Sequence, residues 1–189
     1  MRKIKIFEHI SLDGVIEQED GYAYGAWTTP YRGPVGLQII LELSGSHFDL
    51  LLGRHTYDLW SGYWPKAGSS PMADRLNAAT KYVATHRPDS LGWGPVKDLG
   101  TDIAAGIRAL KSQDGPDMIL WGSSTLTSVL FAEGLVDEVV LITYPVLLGR
   151  GKRLFSESID ARELALISTK PTPTGLLINT YRHVGPLKT

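Results

Sequence analysis

Apolar and polar side chains alternate along the start of the chain, from about Lys3 to Leu12. The apolar positions are Ile4, Ile6, Ile10 and Leu12, and the polar positions between them are Lys3, Lys5, His9 and Ser11. A period of two places successive side chains on opposite faces of an extended chain. The pattern therefore predicts a half-buried β-strand.

Short apolar runs and helical spacings then alternate as far as Gly134. The runs predict strands over Phe48–Leu52, Lys81–Thr85, Val96–Asp98 and Asp117–Trp121. The helical spacings predict helices that start at Pro34, near Thr56, at Pro71, at residue 102 and at Ser124. Thr101 is the expected N-cap of the fourth helix, and Gly134 is the expected stop of the fifth.

The last third of the chain predicts strands with no helix between them. They are expected over Glu138–Tyr144, Leu164–Lys170 and Leu176–His183, and the turn-rich segment 171–175 joins the last two. Strand–helix alternation followed by a hairpin predicts one α/β domain over residues 1–189. Its three layers would be a mostly parallel mixed sheet with helices on both faces, ending in a C-terminal antiparallel hairpin.

The composition fits a single globular domain and disfavours several classes of function. The 189 residues are 43% apolar, and 19 basic against 20 acidic residues give a formal net charge of −1. Because this balance gives no field that attracts polyanions, we expect no binding to nucleic acid or to a membrane. Cysteine is absent, which excludes disulfides and thiolate chemistry. The five histidines are scattered, so we expect no metal site.

The chain shows no sign of a targeting or membrane-spanning segment. Charged residues interrupt the apolar ones from the first residues on, so there is no continuous apolar region of a signal peptide. No apolar stretch approaches the ~20 residues that a membrane-spanning helix needs. We therefore expect a cytoplasmic protein.

Two predicted strand-to-helix turns combine glycine with hydroxyl groups at the start of a helix. In the first turn, Gly53 precedes Arg54, His55 and Thr56; in the second, Gly122 precedes Ser123, Ser124, Thr125 and Leu126. Glycine permits close approach of the backbone, and the free N–H groups of a helix start attract anions. Both turns would lie at the carboxyl ends of parallel strands, where α/β sheets bind ligands. They suit a pyrophosphate, although glycine before Ser or Thr is also ordinary helix capping.

The third predicted strand ends in Thr85, His86 and Arg87 on the same expected edge. A hydroxyl, an imidazole and a guanidinium at this place would bind a further phosphate. One such group is the 2′-phosphate that distinguishes NADPH from NADH. The alternative is a polar loop that Pro88 ends.

Asp13 follows the first strand and opens a long loop over residues 13–33 that is rich in Gly, Tyr and Trp. Loops of this length are usually functional or disordered. A carboxylate at a strand end would hydrogen-bond a ring amide or amine, whereas Asp-Gly is also a common turn pair. Flat faces for a ring, or else core packing, would come from Trp27, Trp60, Tyr63 and Trp64.

Five segments in family order make the chain resemble the C-terminal reductase domain of the riboflavin-biosynthesis deaminase-reductases (RibD). That domain has the dihydrofolate-reductase-like fold. The segments are Ser11–Gly14 (SLDG), Ala26–Thr29 (AWTT), Leu52–Tyr57 (LGRHTY), Trp121–Leu126 (WGSSTL), and Leu135–Glu138 (LVDE) with Pro145–Phe155 (PVLLGRGKRLF). The resemblance spans about residues 3–183.

The resemblance implies an NADPH-dependent reductase that passes hydride from nicotinamide to a ring or to an opened sugar imine. It also implies a homodimer joined through the later strands. Asp13 is implied as the catalytic and substrate-binding residue, with Trp27 also facing the substrate. The implied cofactor-binding residues are Gly53, Arg54, His55, Thr56, Thr85, His86, Arg87, Gly122, Ser123, Ser124, Thr125 and Leu126.

The departures from the family pattern concern the substrate. The riboflavin enzymes carry one or two basic residues in the helix after the Trp-Thr segment, whereas this helix reads VGLQIILELSG. Glu42 is late in that helix for the acidic residue that dihydrofolate reductases use on the pterin ring. The expected substrate is a 5-amino-6-(5-phosphoribosylamino)uracil-type riboflavin precursor or a pterin-like ring. The alternatives are an unrelated small molecule, or NADPH binding without turnover.

Overall fold

Eight strands and five α-helices form the regular structure in a computed structural model, which describes residues 1–18, 21–155 and 159–188. The strands are β1 (Ile4–Ser11), β2 (Phe48–Gly53), β3 (Lys81–Ala84), β4 (Val96–Asp98), β5 (Asp117–Trp121), β6 (Glu138–Tyr144), β7 (Arg162–Pro171) and β8 (Leu177–Pro186). The helices are α1 (Pro34–Ser44), α2 (Arg54–Tyr63), α3 (Pro71–Ala78), α4 (Ile103–Ser112) and α5 (Ser124–Ala132).

All eight strands pair into one sheet in the order β4-β3-β2-β5-β1-β6-β8-β7. The first six strands of the chain pair in parallel, whereas β8 runs antiparallel to both β6 and β7. Thr172 and Gly175 close the turn between β7 and β8 with backbone hydrogen bonds. The predicted mixed sheet with a C-terminal antiparallel hairpin is confirmed.

Helices cover both faces of the sheet, as the alternation predicted. On one face, Ile40 of α1, Tyr57 of α2 and Leu76 of α3 belong to one apolar cluster with the strands. On the other face, Ile107 of α4 and Leu130 of α5 belong to a second cluster. Successive strand residues point to opposite faces, so the central strands contribute to both clusters. None of the helices in the described ranges is long and apolar enough to cross a membrane.

The N-cap of α4 is Asp102, so the prediction of Thr101 was wrong. The Asp102 carboxylate accepts a hydrogen bond from the Ala105 amide at 2.9 Å, in the geometry of an N-cap. Both residue types cap helices well, and aspartate is slightly preferred. Because the apolar stripe of the helix does not determine its start to within one residue, the pattern alone left both choices open.

The ends of some helices and strands differ from the predicted ones, because the apolar pattern does not fix the ends of an element to within a residue or two. Helix α2 starts at Arg54 immediately after β2, earlier than the predicted start near Thr56. The strands β7 and β8 each extend further than predicted. They lie at the end of the sheet, where many of their side chains are exposed and the apolar pattern is weak.

The parallel strands bring the predicted ligand-binding segments to one edge of the sheet. Strand β2 lies between β3 and β5, and β5 in turn pairs with β1. Because all four strands run in the same direction, the segments that follow them emerge side by side. This edge carries the site described next.

Candidate active site

Hydrogen bonds join the turn that contains Gly53 to the turn that contains Gly122. The Gly53 amide donates a hydrogen bond to Ser123 Oγ at 2.8 Å, and Ser123 Oγ lies 3.1 Å from Thr56 Oγ1. A Cβ atom on Gly53 would lie 2.7 Å from Ser123 Oγ, and one on Gly122 would lie 2.9 Å from Thr56 Oγ1. Gly122 also has a φ of +71°, which favours glycine. Both turns therefore depend on the absence of a side chain.

Two helices of the described chain start at these turns without a capping hydrogen bond from the side chain of the N-cap residue. Within the described residues, neither the N-cap Gly53 of α2 nor the N-cap Ser123 of α5 makes a side-chain capping hydrogen bond. The first N–H groups of a helix have no acceptor within the helix, and the helix dipole makes this end positive. Two adjacent helix starts of this kind form an anion-binding surface.

Arg54 connects the first turn to the segment that follows β3. Its Nε donates to the Asp58 carboxylate at 2.8 Å, and its Nη1 donates to Thr85 Oγ1 at 3.2 Å and to the Arg87 carbonyl oxygen at 3.0 Å. The side chains of His86 and Arg87 are exposed on the same edge. The three segments predicted to bind a dinucleotide are therefore neighbours.

A cavity of about 1090 Å³ opens along this edge of the sheet. The predicted cofactor residues that line it are Gly53, Arg54, His55, Thr56, Gly122, Ser123, Thr125 and Leu126. Ser124 is buried behind them, whereas Thr85, His86 and Arg87 lie beside the cavity and are absent from its lining. The cavity size suits a ligand larger than a single ring, since ligand pockets span about 300–1,000 Å³.

Aromatic rings form one wall of the cavity. Trp60, Tyr63 and Trp64, three of the four aromatic residues singled out in the sequence, all line it. The Trp60 ring lies 5.9 Å from both the Trp64 ring and the Trp121 ring, in edge-to-face arrangements. Such a wall offers flat apolar faces to a heterocycle.

His9 and Tyr144 form a hydrogen-bonded pair beside this wall. His9 Nδ1 lies 2.8 Å from Tyr144 Oη, and the imidazole stacks on Trp121 at 5.8 Å between ring centroids. Burial, together with the Arg32 cation, lowers the pKa of His9 to about 4, and burial raises the pKa of Tyr144 to about 12. Both side chains are therefore neutral near pH 7. A neutral pair supplies hydrogen bonds without a net charge.

Glu8 lines the same cavity and is almost completely buried, with 3% of its surface exposed. Its Oε1 accepts a hydrogen bond from the His9 amide at 3.0 Å. Its Oε2 is buried and has no hydrogen-bond partner within the described ranges. Burial raises the pKa of the carboxyl to about 8, so Glu8 is mostly protonated at neutral pH.

Arg32 and Lys152 bring positive charge to the cavity lining. Arg32 Nη2 donates to Thr28 Oγ1 at 3.2 Å. No ion pair joins either cation to a carboxylate in the part of the chain that the structure describes. The lining thus suits a ligand with an anionic substituent.

Asp13, the predicted catalytic residue, lies outside the lining of the large cavity. Its carboxylate accepts hydrogen bonds from the Ser11 hydroxyl at 2.7 Å, the Leu148 amide at 3.1 Å and the Gly149 amide at 2.7 Å. The Ser11 hydroxyl and then the Leu148 amide hold the pKa of Asp13 at about 2. These contacts join the loop after β1 to the loop after β6. The catalytic role of Asp13 stays a prediction.

Trp27, the second predicted substrate residue, packs in the core and is also absent from the cavity lining. Its indole N–H donates to the Glu17 carbonyl oxygen at 2.7 Å, and its ring meets the Tyr144 ring edge-to-face at 5.1 Å. Trp27 thus supports Tyr144 from behind. Its contact with a substrate stays a prediction.

Glu8, His9 and Tyr144 line the cavity but were not predicted from the sequence. A signal for Glu8 was present, because positions 4, 6, 8, 10 and 12 form the apolar phase of β1 and Glu8 is its one ionisable member. A charged residue at a position that the alternation predicts to be buried indicates a special environment. His9 and Tyr144 carried no such signal, since they meet across 135 residues of sequence.

Comparisons with known proteins agree with this geometry. The family model of the RibD C-terminal domain matches residues 2–178. The uncharacterized protein YyaP of Bacillus subtilis (strain 168) is 26% identical over 189 residues, which cover 97% of this chain and 96% of that protein.

Two solved structures share the fold. A pyrimidine reductase-like protein from Corynebacterium diphtheriae has a TM-score of 0.67 and 15% identity, with 97% of this chain and 92% of that chain covered. Dihydrofolate reductase from Enterococcus faecalis, complexed with NADP(H), has a TM-score of 0.60 and 21% identity, with 96% of each chain covered. These likenesses confirm the dihydrofolate-reductase-like fold, and the family points to a reductase-type oxidoreductase. The chain belongs to the RibD C-terminal domain family.

Proposed function

We propose that this protein is an NADPH-dependent reductase. Its substrate is proposed to be a small heterocycle of the riboflavin-precursor or pterin type. The observation that carries the proposal is the pair of interlocked helix starts at Gly53 and Gly122, on the rim of a cavity with an aromatic wall. The positive ends of the two helices fit a pyrophosphate, and the wall fits a flat ring.

The strand order supports a placement of the three parts of the dinucleotide along the edge of the sheet. The pyrophosphate would occupy the adjacent helix starts after β2 and β5. The 2′-phosphate would contact Thr85, His86 and Arg87 after β3, the neighbour of β2 on the outer side. The nicotinamide would then extend the opposite way, toward β1. When bound, NADPH supplies the hydride.

The residues of the chain orient the substrate and supply hydrogen bonds. The aromatic wall of Trp60, Trp64 and Trp121 would hold the ring flat, which is the main requirement of hydride transfer. The neutral His9–Tyr144 pair would donate a hydrogen bond to a ring nitrogen or carbonyl. Because Tyr144 faces Nδ1, the Nε2 atom of His9 is the one left for the ligand.

Arg32 suggests how the substrate phosphate or carboxylate is held. The helix α1 lacks the basic residues of the riboflavin enzymes, but Arg32 precedes the helix by two residues and lines the cavity. Its guanidinium would bind an oxyanion in a bidentate manner. We therefore favour substrates with an anionic substituent.

The test is a titration of the protein with NADPH and with NADH while thermal stability is followed. Binding to the native state raises the melting temperature by mass action. We expect a shift with NADPH at concentrations where NADH gives little, and loss of this preference in Arg87→Ala. Loss of nicotinamide absorbance with dihydrofolate or the aminouracil precursor would then identify turnover. An unchanged melting temperature with both cofactors would contradict the proposal.

A further inference from the structure

Glu8 occupies the point at which two central strands separate. The strands β1 and β5 pair from Ile4 with Met118 as far as Phe7 with Trp121. Beyond that point β1 continues to pair with β6 on its other side, as far as Ser11. Glu8 is thus the first residue of β1 after the separation, and Gly122 is its counterpart on the β5 side.

The carboxyl of Glu8 is only half satisfied by the protein. Its Oε1 accepts the His9 amide, whereas the buried Oε2 has no hydrogen-bond partner among the residues described. Buried polar atoms are nearly always paired, and leaving one unpaired costs about 1–3 kcal/mol. The unpaired oxygen lies on a residue that lines the large cavity, so a bound molecule is the natural source of its partner.

The surroundings keep this carboxyl in its protonated form. The desolvation due to burial raises its pKa, although the His9 amide, the nearby Gly122 amide and the Lys152 cation favour the charged form. The Gly122 amide is near the carboxyl without meeting the geometry of a hydrogen bond to Oε2. The neighbouring titratable groups of the cavity are His9 on β1, its partner Tyr144 on β6, Arg32 before α1, and Glu17 in the loop that contacts the Lys152 amide. The adjoining turn and helix start at 122–127 contribute no ionisable side chain. A protonated Oε2 offers an O–H donor.

We propose that Glu8 is a cofactor-binding residue whose Oε2–H donates a hydrogen bond to the carboxamide oxygen of the nicotinamide ring. The inference rests on the proposed function, because it takes NADPH as the ligand. The order of the strands supports the nicotinamide end specifically: the 2′-phosphate segment follows β3, the helix starts follow β2 and β5, and Glu8 lies beyond them on β1. A neutral carboxylic acid, unlike a carboxylate, is complementary to a carbonyl oxygen.

The experiment compares NADPH with 2′-phospho-ADP-ribose, which lacks the nicotinamide ring, from pH 7 to 9.5. This range lies above the titration of phosphate monoesters near ~6. For the wild-type protein, we expect the Kd for NADPH to rise above about pH 8, by up to roughly tenfold per pH unit. The Kd for 2′-phospho-ADP-ribose should change much less.

Two substitutions make the test specific for the proton. Glu8→Gln keeps an amide donor and cannot ionise, so its Kd for NADPH should stay near the wild-type value and not vary with pH. Glu8→Ala should weaken NADPH at pH 7 by roughly five- to tenfold and leave 2′-phospho-ADP-ribose unchanged. Asp117→Asn, at the opposite edge of the sheet, is the control and should follow the wild-type profile.

The outcomes separate the inference from the proposed function. The assignment of Glu8 is overturned if both ligands bind but the Kd for NADPH depends on pH in the same way in the wild-type protein and in Glu8→Gln. It is also overturned if Glu8→Ala weakens the binding of both ligands equally. Failure of both ligands to bind the wild-type protein would instead overturn the proposed function. Should Glu8→Ala fail to fold, the comparison of wild type with Glu8→Gln still decides.

Discussion

At the scale of single residues, the backbone and the surroundings of Gly122 disfavour any side chain. Gly122→Ala would add a Cβ atom 2.9 Å from Thr56 Oγ1 at a residue whose φ is +71°. The left-handed backbone alone costs roughly 1–2 kcal/mol. We expect a lower melting temperature and a loss of most NADPH affinity. The control is Gly62→Ala in α2, where nothing lies within 4 Å and stability should rise by about 0.5–1 kcal/mol. Similar effects of the two substitutions would contradict this view of the turn.

The raised pKa of Glu8 makes stability depend on pH in a predictable direction. The folded protein keeps this proton up to about pH 8, whereas the unfolded chain releases it near 4.5. The folded state therefore binds more protons in this window, and stability falls as the pH rises, by at most about 1.4 kcal/mol per pH unit. His9 acts only below about 6.5, whereas burial lowers the pKa of Lys81 to about 8, so that Lys81 raises stability with pH toward the upper end of this window. The comparison with Glu8→Gln, in which Lys81 is unchanged, therefore isolates the contribution of Glu8.

Urea denaturation at several pH values checks this expectation. In Glu8→Gln the fall in stability between pH 6.5 and 8 should disappear, and the variant should exceed the wild-type stability at the upper end. An unchanged slope in Glu8→Gln would show that Glu8 is ionised in the folded protein. Because no ligand is involved, this measurement is independent of cofactor binding.

The His9–Tyr144 pair gives a third prediction at this scale. In Tyr144→Phe, His9 loses the partner at its Nδ1, so the imidazole is free to change tautomer and tilt. We expect kcat with an active substrate to fall roughly ten- to a hundredfold, with little change in the Kd for NADPH. His9→Gln should act in the same direction. If both variants lose NADPH binding instead, the pair supports the cofactor rather than the substrate.

Some single residues were readable from the sequence and others were not. Gly53 and Gly122 carried a signal, because glycine at a strand-to-helix turn permits close approach of the backbone, although the same pattern is also typical of helix capping. Glu8 is a charged residue at a position of β1 where the alternation predicts an apolar one, so the sequence itself indicated a special environment there. The partners of Asp13 are backbone amides 135 and 136 residues away, and no local pattern encodes such a contact.

At the scale of elements, Asp13 acts as a connector between loops. Asp13→Asn replaces a carboxylate oxygen by an NH₂ group that cannot accept from the Leu148 or Gly149 amide. We expect a lower melting temperature near pH 7, and a smaller difference as the pH falls toward about 2, where the wild-type carboxylate itself is protonated. Normal stability with lost turnover would instead support the predicted catalytic role.

The regular elements were predicted well because their patterns are local. The strands β2 and β5 are mostly apolar and almost entirely buried, and they contain short apolar runs, Leu50–Leu52 and Met118–Trp121. The ends were harder to predict: one capping residue was misplaced, and the hairpin strands β7 and β8 were predicted too short. The packing of the loop after β1 against the segment after β6, with Val15 bridged to Arg153, is a long-range contact that no periodicity reveals.

At the scale of the whole molecule, the exposed edge strand β7 favours association of two copies of the protein. In the described part of the sheet, β7 has a partner on one side only, and Leu166 and Ile167 are 59% and 56% exposed. Open edges and exposed apolar side chains favour association. We expect a homodimer through this end of the sheet, as the resemblance implied.

Sedimentation at several protein concentrations tests the dimer. Leu166→Glu should give a monomer, because it places a charge within the contact. Lys97→Glu on β4, at the opposite end of the sheet, should leave the dimer intact. A wild-type monomer at all concentrations, or a dimer that Leu166→Glu does not affect, would contradict the expectation.

A single hydroxyl, Ser123 Oγ, fastens two helix starts that are 70 residues apart in sequence. The two halves of the anion-binding surface are therefore held at a fixed separation by folding itself. A ligand that bridges them binds to a rigid site, so the entropic cost of ordering the protein on binding is small. Amide exchange around α2 and α5 should accordingly be slow already in the free protein, and association should be fast and depend little on conformational fluctuation.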